Sequence, residues 1–137
     1  MTGEDIKKVF REFSVLHQLF SDTVYDKPKK SWILNEFYSW YSNVYLSLVG
    51  INKWQKKFDC DDFAASFKLG AQVAHSKSKG KNDGFAVGVI WYNDEKMGYH
   101  AINAVFTDKG LIFVEPQNGK EKKLSKDEKN SIYFVKF

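Results

Sequence analysis

Tyr99-His100-Ala101-Ile102-Asn103-Ala104-Val105-Phe106-Thr107, then Asp108-Lys109-Gly110, then Leu111-Ile112-Phe113-Val114-Glu115 reads as two β-strands around a tight turn. Val, Ile and aromatic residues dominate both arms, and Asp, Lys and Gly fill the gap between them. A two-residue loop at Asp108-Lys109 pairs Thr107 with Gly110 and fixes every other partner. In that register His100 stands opposite Gln117, and Glu115 is its diagonal neighbour on the same face, about 7–8 Å away along the backbone. Asn103 points to the other face. A three-residue loop would break this parity, so the turn decides which side chains meet.

Working outward, Phe85–Tyr92 and Ser131–Phe137 carry the same strand signature. A charged connection over 117–130 holds a short helical turn near Ser125–Lys129. Upstream of the lysine- and serine-rich loop at 76–84, the hydrophobic period is that of a helix. Ile6, Val9, Phe10, Phe13, Leu16 and Phe20 predict a helix over residues 4–20. Trp32, Phe37, Trp40, Tyr41, Val44, Tyr45 and Leu48 predict another from Ser31 to Val49, stopped at Gly50. Phe63, Phe67, Ala71 and Ala74 predict a third from Cys60 to Ser76. Helices first and strands after give the α+β class, N-terminal helices packed on a small antiparallel sheet, in a single domain over residues 1–137.

Cys60 is the only cysteine among 137 residues, and it begins the third helix. That place offers free N–H groups and the positive end of the helix dipole, which favour thiolate. The plain alternative is a buried structural cysteine. His75 closes the same helix, too far along it to serve Cys60. A Cys at a helix start, His100 on a strand and Glu115 on the next are the parts of a Cys-His-Glu triad, in which His takes the thiol proton and Glu fixes the imidazole tautomer. The competing account is a satisfied buried histidine beside a salt-bridging carboxylate.

Composition narrows the function classes. Net charge is +4 with 21 Lys and Arg, of which only Arg11 is arginine. Lysine is a solvated point charge without the forked geometry that reads phosphate and guanine, so sequence-specific nucleic-acid readout is not expected. No apolar run is long enough to span a membrane. A lone cysteine forms no internal disulfide, and the polar start Met1-Thr2-Gly3-Glu4-Asp5 is unlike a secretory signal, so cytoplasmic residence is expected.

Three motifs together, Cys60-Asp61-Asp62-Phe63-Ala64, Gly98-Tyr99-His100-Ala101-Ile102-Asn103 and Glu115-Pro116-Gln117, resemble the C-terminal papain-like protease domain of the Marasmius oreades agglutinin group, similar to domains in bacteria and phages. The resemblance covers roughly Trp54 to Gln117. It implies a papain-like fold and a cysteine peptidase acting on a peptide or protein substrate, with Cys60 as nucleophile, His100 as base and Glu115 as orienting group. It also implies oxyanion donors at Gln117 and Trp54, with Gln55 the rival of Trp54, and a Ca²⁺ requirement met by Asp61 and Asp62. Such an ion would relieve the opposition of those two acids to a thiolate. The sugar-binding β-trefoil of the fungal proteins does not fit in this length, so lectin activity is not carried over. The alternatives are acyl transfer of the transglutaminase or cell-wall amidase kind, and a non-catalytic papain-like binding module.

Overall fold

A computed structural model describes residues 1–78 and 83–137. Helix α1 spans Gly3–Glu12. Thr2 caps it and Asp5 returns the bond to the Thr2 amide, the reciprocal arrangement that fixes a helix start. It ends well before the expected residue 20. Ser14 turns left-handed at φ 61°, and the Val15 and Ser14 amides fold back on the Phe10 and Arg11 carbonyls. The chain beyond it forms strand β1, His17–Leu19, and Leu16 is exposed.

After the short strand β2, Tyr25–Asp26, residues 30–48 form one helical run, α2. It contains two π-helical turns, Ile33–Phe37 and Tyr41–Tyr45. The run matches the helix expected over 31–49, one residue early, and Gly50 stops it with φ 73°. The wide turns lay Ile33, Phe37 and Tyr41 on the core side, where they meet Phe63 and Phe67 of helix α3, Cys60–Ser76. The α3 limits are those read from the sequence.

The remaining strands are β3 (Gly84–Phe85), β4 (Val87–Asp94), β5 (Gly98–Thr107), β6 (Gly110–Glu115), β7 (Lys120–Lys122) and β8 (Phe134–Lys136), with a short helix α4 (Lys126–Asn130) before the last. The main sheet has six strands in the order β1-β8-β4-β5-β6-β7. It is mixed rather than wholly antiparallel, because β1 runs parallel to β8. Of the loop expected over 76–84, residues 79–82 lie outside the described residues. The β5–β6 hairpin has the expected turn and register, Thr107 on Gly110 and Asn103 on Val114.

Two cores form on opposite sides of the sheet. α1 packs Ile6 and Phe10 with Ile90, Ile102, Phe106 and Phe137 on one side. α2 and α3 pack Phe37, Tyr41, Phe63 and Phe67 with Val87, Val105, Ile112 and Val114 on the other. The alternation of side chains along β4–β6 sends successive apolar residues to successive cores, which is why these strands read as nearly unbroken hydrophobic runs.

Candidate functional site

Cys60 opens α3 just after Asp59, whose amide donates to Asp62 Oδ2 at 3.1 Å. Asp62 is thereby committed to the helix start. The Cys60 side chain packs with Ala64, Val89, Ala101 and Trp91 in a small cluster between α3 and the sheet. The small side chains of Ala64 and Ala101 let helix and strand approach closely. Asn103 spans the same contact, donating from Nδ2 to the Ala64 carbonyl at 2.9 Å and the Gly88 carbonyl at 3.1 Å.

His100 is buried and its Nε2 lies 2.7 Å from Glu115 Oε2, the diagonal contact that the hairpin register predicts. Glu115 also accepts from the Gln117 amide at 3.2 Å, which fixes the turn into β7. Cys60 packs on the cluster that holds Ala101, next to His100. His100 and Glu115 meet at one end of β5, with Cys60 beside the following residue. Gln117 is exposed and Trp54 is half exposed, and no hydrogen bond of either side chain joins them to Cys60 among the described residues.

The electrostatics run against a thiolate. Burial, first, and the Asp59 and Asp61 carboxylates push the Cys60 thiol up from its ordinary value, against the Ala101 amide that pulls it down. Asp61 is itself raised to about 6, chiefly by its hydrogen bond with Asp59, then by desolvation and the Asp59 charge. Two carboxyls side by side share a proton more readily than both ionise. Ligand atoms of Asp59, Cys60 and Asp61 lie within 4.8 Å of one another. Asp59 Oδ1 is buried without a hydrogen-bond partner, so a hard cation would find a carboxylate oxygen there. Asp59 and Asp61 thus bring carboxylate oxygens to one place that an ion could share. Asp62 gives one oxygen, Oδ2, to the helix cap, and Asp59 carried no sequence signal beyond its place before the helix.

A wall of aromatic residues flanks this end of the sheet. Tyr99 is 81% exposed and meets Tyr133 edge-on at 6.1 Å, and Asn93 and Ser131 complete a shallow hollow. The raised pKa of Tyr133 owes most to burial, with smaller contributions from Tyr99, Cys60 and Asp61, so the hollow adjoins the thiol.

Residues 33–121 match the family model described as "Agglutinin C-terminal". The whole chain also superposes on two solved structures. One is described as "PSL1a-E64 complex", with TM-score 0.77 and 22% identity over 51% of that chain. The other is the Polyporus squamosus lectin bound to the human-type influenza-binding epitope Neu5Aca2-6Galb1-4GlcNAc, with TM-score 0.73 and 23% identity over 49% of that chain. The chain spans about half the length of these structures. No curated protein matches it. The expected cysteine peptidase, with a peptide or protein substrate, is corrected here. The family match is described as an agglutinin domain and one of the two solved structures as a lectin, and burial with the Asp59 and Asp61 carboxylates pushes the Cys60 thiol up.

Proposed function

Because this chain belongs to the agglutinin C-terminal family, we propose that it acts as a non-catalytic binding module, one papain-like domain over residues 1–137, with a glycan as its ligand class. The observation that carries the reading is the match of residues 33–121 to the agglutinin C-terminal family model. Burial beside carboxylates opposes ionisation of a thiol. The charges acting on Cys60 here, Asp59 and Asp61, are both negative. The ligand class is taken from the lectin bound to a sialylated epitope, of which this chain matches 49%, and departs from the expectation that lectin activity is not carried over.

In this reading the His100–Glu115 hydrogen bond fixes the end of the β5–β6 hairpin. Tyr99, Tyr133 and Asn93 present the ligand-facing surface nearby. Ca²⁺ belongs to the proposal as an ion held by Asp59 and Asp61, relieving their mutual repulsion. Cytoplasmic residence belongs to it as well, in keeping with the single thiol.

The test is a glycan-binding assay and a peptide-hydrolysis assay on the wild type and Cys60→Ala. The module reading expects equal glycan affinity for both chains and no hydrolysis above buffer. Turnover by the wild type that Cys60→Ala abolishes would end it.

A further inference from the structure

The chain has a second concavity, on the face of α2 away from Cys60. Trp32 stacks on Phe37 at 5.1 Å and meets Phe85 edge-on at 5.9 Å, and Trp40 leans on Phe37 at 6.0 Å. These rings form one wall. Val73, Ala74 and Lys77, at the C-terminal turn of α3, form the other. The hollow of about 290 Å³ between them continues past Trp32, Glu36 and Ala74 into one of about 620 Å³, bounded by Lys27, Lys29, His75 and Phe85. Volumes of this size are those of small-ligand sites.

The charges around the groove point one way. Lys27, Lys29 and Lys77 line it and make no ion pair among the described residues, whereas Lys30 nearby is tied to Glu121 at 2.6 Å. Among the described residues Glu36 is the single acid lining the two hollows, and it too makes no ion pair there. His75 is not free: its Nε2 lies 3.3 Å from Asp26 and its ring stacks on Phe85 at 4.2 Å, so it builds the floor.

Exposed indole beside a carboxylate suits a pyranose, whose C–H faces pack on the ring while its hydroxyls donate to Glu36. Three unpaired ammonium groups suit a negative substituent on that sugar. A polynucleotide is disfavoured, because the lysines lining the groove lack the forked geometry that grips phosphate. A peptide strand would need a free sheet edge, and side chains of two helices make up most of this groove. We propose that the groove between α2 and the end of α3 binds a carboxylate-bearing saccharide, with Trp32 and Trp40 as its stacking wall and Lys29 and Lys77 as its anion contacts. The inference rests on the binding-module reading and gives that module a site distinct from the Cys60 end.

The experiment is saturation-transfer NMR with titration on the Cys60→Ala chain, so that the fate of the thiol cannot affect the result. The probes are a glucuronate-terminated disaccharide, a sialic-acid-terminated trisaccharide, the neutral counterpart of each, and a six-residue oligouridylate. At least one acidic sugar is expected to bind about tenfold or more tightly than its neutral counterpart. Whichever acidic probe binds identifies the acid. The exposed double variant Lys29→Glu/Lys77→Glu is expected to lose about tenfold or more in affinity for it with an unchanged circular dichroism spectrum, and Trp40→Ala to lose the transfer signal. Equal binding of acidic and neutral sugars, tighter binding of the oligouridylate, no transfer to any sugar, or normal binding by the double variant would each overturn the assignment.

Discussion

Asn103 Nδ2 donates to the carbonyl of Ala64 at 2.9 Å, a side chain from the centre of the sheet reaching into the first turns of α3. The same amide holds the Gly88 carbonyl at 3.1 Å, so one fully buried residue ties helix, β4 and β5 together behind Cys60.

Replacing it should be costly. Asn103→Leu removes both hydrogen bonds and forces a branched side chain into a polar slot. The loss of two buried bonds predicts roughly 2–4 kcal/mol in urea unfolding. Asn103→Asp should cost at least as much at pH 7, because its carboxylate would face the two carbonyls, and part of that loss should return as the pH is lowered. A change under about 0.5 kcal/mol for Asn103→Leu would show that the pair does not anchor the helix.

The two turn glycines of the β6 hairpins separate backbone strain from crowding. Gly110 has φ 99° with nothing near where a Cβ would go, while Gly119 has φ 70° and a Cβ there would strike the Tyr38 ring of α2. Gly110→Ala should therefore cost only the left-handed strain, about 1–2 kcal/mol. Gly119→Ala adds the collision, for about 2–4 kcal/mol in total. Equal melting temperatures for the two variants would contradict the Tyr38 contact.

The hairpin and the Cys60 helix were legible in the sequence because each rests on local rules. Asp108-Lys109-Gly110 admits one short turn, and that turn sets which residues face one another, so the His100–Glu115 contact follows from parity. The apolar spacing of Phe63, Phe67, Ala71 and Ala74 marks α3. The overlong first helix failed for a local reason too. Leu16 and Phe20 keep the helical spacing, but Ser14 takes the left-handed conformation that is usually glycine's, and no pattern of hydrophobic residues announces it. β1 and β7 are three residues each and gain their stability from β8 and β6, partners distant in the chain or set by a turn. The state of Cys60 was illegible for a different reason. Helix-start logic favours thiolate, and only the packing on Ala64 and Ala101, together with the neighbouring Asp59, reveals the desolvation and like charge that push the thiol up.

That balance predicts the reactivity of the thiol. With its pKa raised, Cys60 should react with iodoacetamide at pH 7.5 more slowly than a free cysteine in a model peptide. Asp61→Asn removes one of the opposing charges and should accelerate the reaction by about threefold to tenfold. A wild-type rate above that of the peptide would contradict the electrostatic account.

The last prediction concerns pH and the acid pair. Asp61 is raised from 3.8 to about 6 by its hydrogen bond with Asp59, desolvation and that neighbour's charge. A carboxyl whose folded pKa is raised contributes stability that is fully present below its unfolded pKa and is lost as pH rises through the folded one. Asp61 should thus favour the folded state relative to its ionised form near pH 4 and give that advantage up between about pH 4 and 7. Asp61→Asn stays neutral throughout, so its melting temperature should exceed that of the wild type at pH 7.5 and approach it at pH 4. Asp61 is largely exposed, so solvent screening limits the gain to about 1 kcal/mol, a shift of a few degrees. Adding Ca²⁺ at pH 7.5 should raise the wild-type melting temperature and leave Asp61→Asn less affected, since the ion would stand in for the shared proton. Thermal melts from pH 4 to 8, with Ca²⁺ or with EDTA, measure both effects, and a gap between wild type and variant that widens toward acid would invert the sign argued here.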